Sequence, residues 1–162
     1  MKTSGVVIRG DKILLSYKDI LDTFTKEIRK HFIEKIYTSE NNVQDEKGSC
    51  FFVQILPEKP TIATLRTDRK AVLIEIRYLQ QADGKKENLY LVLDKLEKIF
   101  TRGIRVKDRY LKYFDIEPNI LKDDIGSYVS FLIMIRYHER IAFEEEEYEP
   151  MQYININFKE GE

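Results

Sequence analysis

Tryptophan is missing from these 162 residues; cysteine occurs once, histidine twice, proline four times and glycine seven times. Each scarcity removes a class of explanation. One cysteine cannot build a disulfide framework, and Cys50, followed by Phe51-Phe52-Val53, reads as a small apolar strand residue with no neighbour to activate a thiol. A reducing compartment is expected. His31 and His138 fall on different predicted elements and form no His-x-x-x-His pattern, so neither a metal site nor a cofactor is expected. His138 continues the polar side of a strand, with no nucleophile nearby for it to activate. The seven glycines are scattered and make no phosphate-cradling loop. An excess of one charge is also missing: 27 Lys and Arg face 28 Asp and Glu, which leaves no global positive field to draw in a phosphate backbone. No apolar run approaches the roughly 20 residues of a membrane span. The opening Met1 to Ile8 lacks a signal peptide's long apolar region and cleavage site. The expectation is a soluble, cytosolic chain with no membrane partner and no catalytic centre.

What is present is periodicity. From Ser16, a candidate N-cap, to about Phe32, Ile20, Leu21, Phe24, Ile28 and Phe32 recur at three and four, leaving Asp22, Lys26, Glu27 and Lys30 for water. A second helix begins near Lys86 and ends by Gly103, with Leu89, Val92, Leu93, Leu96, Ile99 and Phe100 on one stripe. Elsewhere the period is two. Leu-Ile-x-Ile-Arg-Tyr occurs twice, at Leu73 to Tyr78 and at Leu132 to Tyr137. Val72, Ile74, Ile76 and Tyr78 share a side in the first; Val129, Phe131, Ile133, Ile135 and Tyr137 share one in the second. Both read as central strands with an apolar core face, an arginine on the reverse face, and a terminal tyrosine whose hydroxyl reaches water. Further strands are expected at Ile33 to Thr38, Ser49 to Leu56, Thr61 to Thr67, Ile104 to Ile116 and Gln152 to Phe158, with a hairpin bend at Asp124-Ile125-Gly126.

Grouped rather than alternating elements imply an α+β fold, a mainly antiparallel sheet with two helices packed on one face. One domain spans residues 18–158. Residues 1–17 precede it as an extension or small hairpin, and 159–162 follow it as a tail. Glu144, Glu145, Glu146, Glu147 and Glu149 form the one dense charge block; such a block must be solvated or meet a basic partner. Met151 to Phe158 then recovers strand alternation, suited to closing the home sheet or to joining a neighbour's.

The ordered set resembles the tail terminator proteins of long-tailed phages and of phage-derived tail particles from Gram-positive bacteria. It comprises the helix from Ile20 to Phe32, Cys50-Phe51-Phe52-Val53 before a proline turn, Ile74-Glu75-Ile76-Arg77-Tyr78, the helix start Glu87-Asn88-Leu89-Tyr90, Phe131-Leu132-Ile133-Met134, and an acidic segment before a last strand. The resemblance covers about Lys18 to Phe158. It implies a homo-oligomeric ring, typically hexameric, that sits on the last ring of the tail tube protein, stops polymerisation, and meets neck or head proteins and, in contractile tails, the sheath. Such a ring belongs to a virion or tail-like particle assembled in the bacterial cytoplasm, with DNA only in transit through the lumen.

Ring closure needs two complementary patches on one subunit. The candidates are Arg77 and Arg136 beside Glu75 and Glu139, the acidic block or the loop around Asp45 and Glu46 as a lumen wall, and the basic run that includes Arg102, Arg105 and Lys107. Other readings stay open: a head–tail connector or neck protein, a small hydrolase or nucleotide-binding domain, and a nucleic-acid binder. The last needs Lys95, Lys98, Arg102, Arg105, Lys107 and Arg109 to converge on one face despite Asp94, Glu97 and Asp108 between them.

Overall fold

The computed structural model describes residues 14–39 and 47–141. In chain order these form α1 (Tyr17–His31), β1 (Lys35–Tyr37), β2 (Cys50–Pro57), β3 (Thr61–Thr64), β4 (Thr67–Leu79), α2 (Lys86–Ile99), β5 (Gly103–Val106), β6 (Arg109–Lys122) and β7 (Ser127–Arg140). The strands make one sheet in the order β1-β2-β4-β7-β6-β5, with β3 added on β4. Every pairing is antiparallel except β1 with β2, so the sheet is mixed at that edge.

The repeated hexapeptide lies at the centre. β4 pairs with β7 along all 13 of its residues, Leu73 opposite Met134, Ile74 opposite Ile133 and Glu75 opposite Leu132. The two copies therefore run past each other around a local two-fold centre at Ile74 and Ile133. Val72, Ile74 and Ile76 of β4 and Val129, Phe131, Ile133 and Ile135 of β7 are fully buried, as the period of two predicts. Register with Tyr78 and Ile76 carries the same row onto Phe51 and Val53 of β2.

Ile20, Phe24 and Ile28 of α1 join this cluster, with Leu89 and Leu96 of α2 and with Phe100 beyond it. The Phe24 and Phe100 rings stack at 5.3 Å, so the helices meet each other as well as the sheet. Burying each such side chain contributes about 1.5–3 kcal/mol.

Both helices lie where their apolar stripes place them, and α1 also has a cap. Ser16 caps α1 through a reciprocal box: its Oγ accepts from the Asp19 amide at 3.1 Å, and Asp19 Oδ2 accepts from the Ser16 amide at 3.1 Å. At the other end the Lys95 ammonium donates to the His31 carbonyl and lies 4.3 Å from the Phe32 ring centre, a favourable place for a cation at a helix C-terminus.

Several expectations need correction. The strand expected from Thr61 to Thr67 is broken by a turn at Leu65-Arg66, and the one from Ile104 to Ile116 by a turn at Lys107-Asp108. Neither turn contains glycine or asparagine, the usual signals. Lys107 takes the left-handed conformation itself, with φ 54°, and its ammonium lies 2.8 Å from Asp19 Oδ2. β6 then runs on through Pro118 to Lys122. The bend before β7 is as expected: Asp123 Oδ1 accepts from the amides of Ile125 and Gly126, both at 2.9 Å, and Gly126 has φ +155°. The expected strand at Gln152 to Phe158 and the small N-terminal hairpin lie outside the described residues.

Lys107, followed by Ser16, holds the Asp19 carboxyl at about 2, well below its ordinary 3.8. A carboxylate depressed in this way contributes stability that is present above its unfolded value and is lost as pH falls towards 2. A carbon-13 NMR titration of Asp19 is expected to show a midpoint near 2. The Lys107→Met variant is expected to move that midpoint back towards 3.8.

Candidate interaction surface

Strand alternation leaves the central strands with a second face. Across it, register sets Leu56 beside Leu73 and Met134, Gln54 beside Glu75 and Leu132, and Phe52 beside Arg77 and Ser130. β6 continues these rows with Asp115, Glu117 and Asn119. The chemistry is mixed: apolar side chains with an ordered polar strip between them. Glu75 is buried, accepting from Gln54 Nε2 at 2.5 Å and from Arg77 Nε at 2.6 Å. The Arg77 guanidinium also lies 5.8 Å from the Phe52 ring centre. Arg77 is therefore fixed in place by its own chain.

Arg136 sits elsewhere. Its guanidinium stacks 3.7 Å from the Phe114 ring centre, and register puts it opposite Ala71 whereas Arg77 is opposite Ser130. Six residues of strand separate the two arginines, about 20 Å. Two antiparallel copies of one motif must send their arginines to opposite ends. A register shift between Tyr113 and Asp115 marks a bulge of the kind that re-aims a side chain, and Phe114 projects there, exposed. Beside it a groove of about 240 Å³ has Leu73, Leu132 and Met134 as its floor and Phe114, Asp115, Glu117 and Arg136 as its rim.

Glu139 also departs from expectation. Two residues beyond Tyr137, it follows the core row and not the face of Arg136, and it is 5% exposed. Its carboxylate is held by the Leu15 amide at 2.8 Å, Lys70 Nζ at 2.5 Å and Arg109 Nη1 at 3.6 Å. This cluster ties the entry of α1 to the end of β7. It also shuts in Tyr137, whose hydroxyl is buried with no hydrogen-bond partner among the described residues instead of reaching water. Strand parity carries the signal for Glu139, but an acid at the end of an apolar row looks like the end of burial.

The basic run disperses. Lys95 caps α1, Lys107 pairs with Asp19, and Arg109 donates to the His138 carbonyl at 2.7 Å. Lys98, Arg102 and Arg105 are exposed. Three of the six cations are thus committed to contacts within the chain. Glu144, Glu145, Glu146, Glu147 and Glu149, like Asp45 and Glu46, lie outside the described residues. Among the described residues, no three His, Cys, Asp or Glu side chains group in a way that could hold a metal ion.

A family model described as "Phage tail terminator protein" matches residues 19–147. The chain belongs to the phage tail terminator family. This is a family of structural tail proteins, not one known for enzymatic activity. Among the described residues, the match runs from Asp19 in the first turn of α1 past the end of β7. No curated protein matches the chain. A solved structure is similar in fold over 82% of this chain and 100% of its own, at 12% identity and a TM-score of 0.46.

Removing Glu139 leaves Lys70 and Arg109 without their shared acceptor. Breaking a buried pair costs about 3–5 kcal/mol, and the partial exposure of both cations reduces this, so Glu139→Ala is expected to lose about 2 kcal/mol by urea unfolding. Burial, reinforced by the Glu139 charge, pushes the Tyr137 hydroxyl up to about 12, and burial likewise raises Tyr113. The folded chain keeps these protons while the unfolded chain releases them near 10, so stability is expected to fall as pH rises from 10 towards 12. Phenolate absorbance and urea midpoints measured across that range check the sign.

Proposed function

We propose that this chain forms the terminator ring of a phage-type tail. Copies close head to tail into a collar, typically of six, on the last ring of the tail tube protein, and so end its polymerisation. The ring then presents its free side to neck or head proteins and, where the tail contracts, to the last sheath layer; DNA only passes through. The two helices back one side of the sheet and leave the other side for neighbours. Assembly takes place in the host cytoplasm, and the ring ends in the virion or tail particle.

The family match over residues 19–147 carries this reading. The surface supports it: Ile62, Leu65 and Ile125, at 82%, 85% and 96% exposure, stand on or beside the tips of paired strands, and isolated apolar tips of this kind suit contacts completed by other subunits. Arg102 and Arg105 remain available as basic contacts for an acidic neighbour, whereas Arg77 and Lys107 already serve ion pairs within the chain. Glu144 to Glu147 and Glu149 suit a lumen wall along which DNA slides without sticking.

Inactivating the gene is expected to give overlong or irregular tubes by electron microscopy. Finished tails of normal length lacking heads would instead assign the chain to the neck. Reversing Glu144 to Glu147 to lysine is expected to lower the yield of completed, infectious particles at least tenfold; normal tail length and full infectivity would remove the lumen assignment.

A further inference from the structure

The β3–β4 hairpin reaches past the core. All four residues of β3 are exposed, and the turn that follows carries Leu65 and Arg66 into solvent, with Ile62 beside them. The tip is nevertheless held. The Arg66 amide donates to Thr64 Oγ1 at 3.3 Å, and the Arg66 carbonyl accepts from the Ile141 amide at 3.1 Å, so the end of β7 fixes its position. It presents large apolar side chains next to a cation.

The groove on the second face has the complementary character. Its floor of Leu73, Leu132 and Met134 is apolar, and Asp115 and Glu117 make part of its rim acidic, while Arg136 is stacked on Phe114. Within one chain the two cannot meet: Leu73 lies six residues along β4 from Thr67, about 20 Å of strand paired throughout with β7.

We propose that the Leu65-Arg66 tip of one copy docks in the groove of the next, Leu65 and Ile62 on the apolar floor and Arg66 against Asp115 and Glu117. This rests on the ring reading and names the contact that would close the ring. Two different patches joined head to tail form a heterologous contact, the kind that generates rings when its rotation closes. Docking by side chains also suits β6, where Pro118 removes a backbone donor and so opposes strand addition along that edge.

The test uses the full chain with Cys50→Ala, Leu65→Cys and Leu132→Cys, treated with a short bismaleimide, both alone and on purified tail tubes. A covalent ladder extending beyond dimers is expected, with no ladder when Ile125→Cys replaces Leu65→Cys. Dimers only would mean a two-fold contact, and no ladder under either condition would mean another interface or another occupant of the groove; either result overturns the proposal. Independently, Arg66→Glu or Glu117→Arg is expected to weaken assembly at least tenfold, and the two together to restore it. Failure of the pair to restore assembly also overturns the charge match. A ladder together with normal tubes from the inactivated gene would sink the terminator function and keep the docking; overlong tubes without a ladder would do the reverse.

Discussion

The rest of the molecule depends on the pairing of β4 with β7. Each strand alternates, and with Ile74 set against Ile133 every valine and isoleucine of both falls on the core side. Slipping the pairing by one residue would turn a strand's side chains to the other face and drive Glu75 and Arg77, or Arg136, into the cluster that holds Phe24 and Phe100. The cost of burying such charges without partners is several kcal/mol each, so the register is effectively fixed. The repeated hexapeptide is therefore a matched pair of registers, and its two-fold arrangement explains why tyrosine and arginine appear at both ends of the central ladder.

The parts governed by short-range periodicity were legible in the sequence. The first helix declares itself by its Ser16 cap and apolar stripe, the second, from near Lys86 to before Gly103, by its stripe, and the alternation of β4 and β7 assigns each residue to a face. The sequence does not show what depends on unusual backbone or on distant partners. Lys107 makes a left-handed turn without glycine because its ammonium gains Asp19. β6 continues past Pro118 because its neighbour there is β7 on one side and no described strand on the other. Glu139 looks like the solvated end of a row, and only the approach of Leu15, Lys70 and Arg109 makes its burial tolerable. Arg77 and Arg136 could both be placed on the second face, but their separation needed the antiparallel register.

Charges close together in sequence proved to be far apart in role. Lys95 reaches the end of α1, Lys107 its beginning, and Arg109 the end of β7. These three cations act as staples between elements that the apolar core already brings near. Each adds direction to a contact whose strength comes from burial, the usual division between electrostatic and hydrophobic terms. The same logic holds on the second face, where Gln54, Glu75 and Arg77 form a closed polar strip. A face that also carries Leu56, Leu73, Leu132 and Met134 would be sticky if uniformly apolar, and the strip divides it.

Among the described residues, the outermost strands of the sheet are only three and four residues long, and the exposed course of β6 contains Pro118 with Asp115 and Glu117 beside it. Short strands, proline and charge are the means by which sheets resist pairing edge to edge. Among the described residues, edges blunted in this way oppose growth into a fibre by added strands. If copies join as proposed, they meet through side chains at particular places; such contacts fix an angle between neighbours, and that angle sets the number of copies at which a ring closes.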